Sequence, residues 1–199
     1  MGAISLEEVK KLKELTGVGL TDAKNALTEA DGDFDKALEA MRKKGLTRAE
    51  KKGEREAREG LVDSYVHGGR IGVIVEVNCE TDFVARTDDF KNLVHDVAMH
   101  IAASNPEFAS VDDVPAEVRD AKKAEFAEKV KAEGKPENIA EQIVEGMLKK
   151  HFAEKTLTEQ PFIKNPDQTV GDYVKEHIAR LGENIVVRQF KRIELGVSE

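Results

Sequence analysis

The sequence predicts an α+β fold in which a small antiparallel sheet of three strands is backed by helices. Two candidate strands flank a glycine-rich turn at residues 67–70, and a third candidate strand lies far away at residues 185–195. Between them, apolar residues recur at helical spacing, and the first 46 residues contain three short amphipathic segments. Strands and runs of helices that do not alternate regularly are typical of the α+β class.

The N-terminal segment, residues 1–46, is predicted to form three short helices. Ser5 and Glu8 have the spacing of a capping box, Thr21 and Asp33 are the expected N-caps of the second and third helices, and Gly45 is the expected end of the third. Such a bundle buries little apolar surface. It resembles the ubiquitin-associated fold, and we interpret it as a docking module. The alternative is a module that serves stability alone.

The next segment, residues 47–59, is highly charged and lacks an apolar stripe. A helix that is polar on all sides bridges domains or stays solvated, so we expect a charged linker helix here. An α+β core domain would then cover residues 60–199. Contact with nucleic acid is the alternative for the basic residues of the linker, but interleaved acids and a lack of aromatic residues disfavour it.

Residues 61–67 and 71–78 are predicted to pair as a hairpin whose turn uses glycines that can adopt positive φ. The run at 71–77 is rich in Val and Ile and alternates poorly with polar residues. We therefore expect the second strand to be buried on both faces, or nearly so.

Four further helices are predicted in the core, with boundaries near 89–105, 115–134, 139–152 and 169–182. Pro115 occupies the favoured first position of a helix, Thr169 is an N-cap residue, and Gly182 ends the last helix. Residues 156–168 contain two prolines and are expected to be irregular.

The connection after the second strand carries several chemically active side chains. Thr81 and Asp82 can cap a helix, the aromatic Phe83 follows them, and the cation Arg86 lies three residues later. Connections of this kind carry function more often than the elements that they join. The alternative is a capped turn whose Phe83 ring packs into the core of the protein.

Composition excludes several classes of function. No apolar run has the length of a membrane span and the N-terminus lacks the apolar region of a signal peptide, so we expect a cytoplasmic protein without membrane contact. The single cysteine, Cys79, fits a reducing compartment and is expected to be buried rather than reactive. The first 60 residues have equal numbers of acids and bases, so the net charge of −8 falls on the remainder and disfavours nucleic-acid binding.

The sequence contains no familiar catalytic or metal-binding motif. His95 and His100 are five residues apart and therefore lie off a common helical face. The sequence contains no HExxH, GxSxG, P-loop or GxGxxG pattern. We expect no enzymatic activity, no metal site and no cofactor.

Several motifs resemble those of the bacterial elongation factor Ts family. The most specific is Thr81-Asp82-Phe83-Val84-Ala85-Arg86. Others follow in the family's order along most of the chain: LTGVG at 15–19, AKNAL at 23–27, EADGD at 29–33, GKP at 134–136, IAE at 139–141, VEG at 144–146 and QPF at 160–162. The resemblance implies a translation elongation factor of the short form that exchanges guanine nucleotide on a GTPase, elongation factor Tu. That GTPase would be the partner, and this chain would bind no nucleotide directly.

The resemblance also implies which residues act. The turn would enter the partner next to its bound Mg²⁺, with Phe83 as an apolar wedge, Asp82 engaging polar groups there, and Arg86 pairing with Asp82 or positioning the turn. The partner-binding residues at this turn are Thr81, Asp82, Phe83, Val84 and Arg86. The N-terminal module would dock on the nucleotide-binding domain through Leu15, Gly17, Val18, Gly19 and Leu20.

Longer members of the family have a core with two related halves, whereas this chain contains one half. The resemblance therefore implies a homodimer, for which an exposed sheet edge or apolar face supplies the physical incentive. Two other classes stay open. One is a plain binding module whose N-terminal helices recognise ubiquitin-like or other partners, and the second is an enzyme, for which the sequence offers no reactive group of residues.

Overall fold

The computed structural model describes residues 5–16, 18–50 and 52–197. Within these residues the chain has the predicted α+β architecture of N-terminal helices followed by a helix-backed sheet. The helices are α1 (Leu6–Thr16), α2 (Leu20–Glu29), α3 (Phe34–Glu50), α4 (Asp82–Ala85), α5 (Asp88–Ser104), α6 (Ala116–Ala132), α7 (Glu137–Lys155) and α8 (Val170–Leu181). The strands are β1 (Glu59–His67), β2 (Ile71–Cys79), β3 (Pro161–Phe162), β4 (Asn165–Thr169) and β5 (Ile185–Glu194).

Helices α1, α2 and α3 enclose a small core of their own. Its buried members are Val9, Leu12, Ala23, Ala26, Leu27, Ala37 and Met41. The capping box at the start of α1 is confirmed, because the Ser5 hydroxyl accepts from the Glu8 amide at 3.1 Å and the Glu8 carboxylate accepts from the Ser5 amide at 3.0 Å. Asp33 caps α3 by accepting from the Lys36 amide at 3.1 Å. The predicted cap at Thr21 is wrong, because α2 already begins at Leu20 and its N-cap is Gly19.

The third helix differs from the prediction at its C-terminal end. It runs past Gly45 to Glu50, and residues 52–58 form turns and irregular chain rather than a charged linker helix over 47–59. Gly45 lies against α8, where an added Cβ would be 3.4 Å from Ala179 Cβ. The helix therefore continues through Gly45 and packs on α8 there instead of ending. The domain boundaries at residues 46 and 60 stay a prediction.

The main sheet is antiparallel with strand order β1-β2-β5, as the sequence predicted. Val73, Val75 and Val77 of β2 are buried beneath the helices, whereas Ile74 between them is 51% exposed. The expectation that β2 is buried on both faces is therefore wrong for its first half. In that half, the strand alternates between a face packed against the helices and a face that meets solvent, whereas the consecutive residues Val77, Asn78 and Cys79 are all buried.

Two helices supply most of the core behind the sheet. Helix α5 contributes Phe90, Leu93, Val94, Val97 and Ile101, and α8 contributes Val170, Val174 and Ile178. Residues 156–168, expected to be irregular, contain a 3₁₀ turn at Leu157–Glu159 and the short hairpin of β3 and β4. Helices α6 and α7 pack on each other as a hairpin joined by a short turn, in which Gly134 has a φ of 66°.

Candidate partner-binding site

The connection between β2 and α5 forms a compact structure that we name the Phe83 turn, residues 80–86. It contains the one-turn helix α4, whose N-cap Thr81 accepts a hydrogen bond from the Val84 amide at 3.4 Å. Thr87 then caps α5 by accepting from the Phe90 amide at 3.2 Å, and its hydroxyl donates to the Val84 carbonyl at 2.8 Å. Two consecutive caps thus hold the chain as it turns from strand to helix.

Neighbouring side chains of this turn have opposite environments. Ala85 is buried and Val84 packs against the main core, whereas Phe83 is 79% exposed. The alternative in which the Phe83 ring packs into the core is therefore wrong. The turn therefore holds the Phe83 ring in solvent, while Val84 and Ala85, the next two residues, anchor its backbone to the core.

Asp82 and Arg86 flank the exposed ring. Arg86 Nη2 lies 2.8 Å from Asp82 Oδ2, so the two residues form an ion pair. The Arg86 side chain is largely exposed and the Asp82 side chain partly so, and an ion pair of this kind contributes little to stability in solvent. The polar groups beside Phe83 are therefore accessible to another molecule.

Glu183, which the sequence analysis missed, binds the start of the Phe83 turn. The Glu183 carboxylate, just after α8, accepts from the Glu80 amide at 3.1 Å, the Thr81 amide at 3.0 Å and the Thr81 hydroxyl at 2.6 Å. In return, the Glu80 carboxylate accepts from the Asn184 amide at 2.6 Å. Each turn thus binds the backbone of the other. No local pattern marks Glu183, because its partners lie more than 100 positions away in the sequence.

Cys79, the last residue of β2, is buried beside this network, as predicted. Its thiol donates to the Thr81 carbonyl at 3.2 Å. Burial, followed by the nearby negative charge of Glu183, raises the pKa of the Cys79 thiol to about 11. The thiol is therefore protonated at neutral pH and acts as a small packing residue rather than a nucleophile.

The structure separates the N-terminal docking residues that the sequence grouped. Leu20 is half exposed and lines a groove of about 460 Å³ with Leu6 and Val9, whereas Leu15 lines a smaller cleft between the N-terminal helices and α8. Val18 packs against the small helical core, and Gly19 is exposed at the start of α2. Gly17 lies outside the described residues.

In the described parts of the chain, no cluster of three or more His, Cys, Asp and Glu side chains has an arrangement that could hold a metal ion. The same residues include no helix with the length and apolar character needed to cross a bilayer.

Fold and site together define an α+β protein that presents an aromatic ring on an anchored turn, an arrangement suited to contact with another macromolecule. A protein-family model described as "Elongation factor TS" matches residues 5–197. Proteins named elongation factor Ts include one from Moorella thermoacetica, 54% identical over 194 residues that cover 97% of this chain and 96% of the relative. Another, from Desulfosudis oleivorans, is 51% identical over 197 residues that cover 98% of this chain and 100% of the relative. This chain belongs to the elongation factor Ts family and is thus among the translation elongation factors.

Proposed function

We propose that this chain promotes GDP release from elongation factor Tu by placing the Phe83 turn beside the partner's bound Mg²⁺ and nucleotide, after which GTP can bind. The observation that carries the proposal is the exposure of Phe83 on an anchored turn in a member of this family. An exposed aromatic ring binds well when a partner supplies a pocket, because burial of its apolar surface is then gained without reorganising the turn.

The turn supplies two different interactions. The Phe83 ring enters an apolar slot of the partner, and Asp82, whose carboxylate is accessible, engages polar groups near the cation. Displacement of the cation removes positive charge that holds the nucleotide phosphates, a large local electrostatic effect. Arg86 holds Asp82 in place until the partner binds.

The N-terminal helices supply the second point of contact. Leu15, Val18, Gly19 and Leu20, with Gly17 from outside the described residues, dock on the nucleotide-binding domain of the partner. Residues 1–46 would thus form the docking domain, and residues 60–199 the domain that carries the Phe83 turn. Two contacts on one partner raise the effective concentration of the second once the first has formed.

Nucleotide and factor must obey thermodynamic linkage. If the factor lowers the affinity of the partner for GDP, GDP lowers the affinity of the factor by the same ratio. The factor therefore accelerates exchange, while the concentrations and affinities of the nucleotides decide which one remains bound.

The test is release of fluorescent GDP from elongation factor Tu, measured with wild-type protein and with Phe83→Ala. Loss of a buried aromatic anchor costs about 2 kcal/mol, so we expect the release rate to fall roughly thirtyfold. Val118→Ala is the matched control, because it truncates an exposed apolar side chain on α6 and should leave the rate unchanged. Release by Phe83→Ala at the wild-type rate would contradict the proposed role of the ring.

We also propose that the chain forms a homodimer through the face of the sheet that carries Ile74. Val62, Val66, Ile74 and Ile193 are exposed apolar residues on three adjacent strands of this face. Burial of such a patch favours association. Sedimentation at micromolar concentration should find a dimer for the wild type and a monomer for Ile74→Lys. A stable wild-type monomer would rule out this assembly.

A further inference from the structure

The turn after α8, residues 182–184, contacts the Phe83 turn and also the connection that leads from the N-terminal helices. On the first side, both oxygens of the Glu183 carboxylate are occupied, one by two backbone amides and the other by the Thr81 hydroxyl. These three donors come from two consecutive residues at the entrance of α4. They fix the direction in which α4 leaves the sheet, and hence the direction of Phe83.

On the other side, Asn184 binds the connection between α3 and β1. Its side-chain amide donates to the Arg55 carbonyl at 2.6 Å and to the Gly53 carbonyl at 3.3 Å. The residue is only 2% exposed, so these bonds form away from solvent. Lys52 adds a bond from its ammonium group to the Gly182 carbonyl. One three-residue turn is therefore bonded both to the Phe83 turn and to the connection that leads from the N-terminal helices to β1.

We propose that Glu183 and Asn184 are positioning residues for nucleotide exchange: Glu183 fixes the Phe83 turn, and Asn184 ties this turn to the segment that follows the N-terminal helices. The proposal rests on the function proposed above. Neither residue touches the partner in this mechanism. Both act by preorganisation, so that Phe83 reaches the partner without first paying the entropy of ordering its turn.

The role predicts a specific order among substitutions of Glu183. Glu183→Gln keeps the length of the side chain, and its carbonyl oxygen can still accept from the backbone amides of residues 80 and 81. Glu183→Asp keeps the charge but is shorter by one methylene and cannot span the same distances. A positioning role therefore predicts that Gln retains more exchange activity than Asp, whereas a role based on charge predicts the reverse.

The decisive experiment measures the rate of fluorescent GDP release from elongation factor Tu at saturating factor. We expect Glu183→Ala and Glu183→Asp to lower this rate about tenfold and Glu183→Gln to lower it less than threefold. Circular dichroism of each variant separates a change of position from loss of the fold. If Glu183→Ala does not fold, the comparison of Gln with Asp decides.

A double-mutant cycle identifies the route of the effect. If Glu183 acts through the ring, Glu183→Ala in a Phe83→Ala background should lower the rate less than twofold further. Equal losses in both backgrounds, or wild-type rates for the folded Ala and Asp variants, would overturn the positioning role while leaving the exchange function intact. A wild-type chain that does not accelerate GDP release would instead overturn the proposed function itself.

Discussion

Phe83 and Val84 show how two adjacent apolar residues can serve different purposes. Val84 packs on the core and its amide is held by Thr81, so the backbone of the one-turn helix cannot rotate the Phe83 ring inward without breaking these contacts. Burial of a phenylalanine side chain is worth about 2 kcal/mol. The fold forgoes this stabilisation at residue 83, and a partner that buries the ring recovers it.

Gly60 near the start of β1 gives a prediction at the scale of one residue. Its φ is 151°, and an added Cβ would lie 2.1 Å from the carbonyl oxygen of Val77 on the neighbouring strand. Gly60→Ala should therefore lower the free energy of unfolding by about 2 kcal/mol or more, because both the backbone and the strand pairing are strained. Urea denaturation measures the change.

Gly72 on β2 is the matched control for this substitution. It lies in the same sheet, but its Cβ position is open, with no atom within 4 Å apart from its two chain neighbours. Gly72 pairs with Val66 and Ile193 of the proposed dimer face, so both substitutions are compared in the monomeric Ile74→Lys background. There, Gly72→Ala should change the free energy of unfolding by less than about 0.5 kcal/mol. Equal effects of the two substitutions would show that the close approach of Val77 to Gly60 does not limit this position.

Helix caps show where local sequence determines an element and where it does not. Three residues predicted as caps do cap their helices: Ser5, Asp33 and Thr169. In each, the side-chain oxygen accepts a hydrogen bond from a backbone amide of the following turn. Thr21 has the same chemistry, yet α2 starts two residues earlier than a cap at Thr21 would place it, after Gly19 in an extended conformation. Thr21 therefore occupies the second helical position, where its hydroxyl is not needed to cap the first turn.

The two threonines provide a prediction at the scale of the element. Thr169→Ala removes the bond from the Asp172 amide at the start of α8 and should lower the free energy of unfolding by about 1 kcal/mol. Thr21→Ala should change it by less than about 0.5 kcal/mol. Thermal unfolding followed by circular dichroism compares them, and a larger loss for Thr21→Ala would contradict the observed start of α2.

At the scale of the molecule, the sequence identified the order of most elements and the Phe83 turn, because periodicity and capping are local properties. It could not identify Glu183, whose role depends on contacts with residues distant in the chain. It also wrongly predicted a helix end at Gly45, because the contacts of α3 with α8 join segments that are distant in the sequence. The exposure of Ile74 was missed for a related reason, because periodicity does not show which sheet face the helices leave open.

The core also contains two buried histidines linked by aromatic contacts. The His100 ring lies beside Phe162, the Phe162 ring stacks on Tyr173 with 4.3 Å between the ring centroids, and Tyr173 meets His177 edge to face.

Hydrogen bonds determine the protonation of His100. The side-chain amide of Gln160 donates to the Glu154 carbonyl at 2.8 Å, so the Gln160 side-chain oxygen faces His100 Nε2 at 3.0 Å as an acceptor. Nδ1 of His100 accepts from the Ile163 amide at 3.3 Å. This pattern requires a neutral His100 ring, because a proton on Nδ1 would face another donor.

Acid should therefore destabilise the whole molecule. Burial lowers the pKa of both His100 and His177 below the ordinary value, so below about pH 6.5 the unfolded chain binds more protons than the folded chain. The contribution of these histidines to the free energy of unfolding is therefore complete above this pH. It falls as the pH decreases, by at most about 1.4 kcal/mol per pH unit for each histidine. Urea denaturation between pH 7.5 and 5.5, at one protein concentration, measures how steeply the free energy of unfolding depends on pH.

His100→Gln should have a lower free energy of unfolding at pH 7.5. Its free energy of unfolding should also depend less steeply on pH, because one buried titrating group has been removed. An unchanged slope in this variant would contradict a neutral, buried His100 as a source of acid sensitivity.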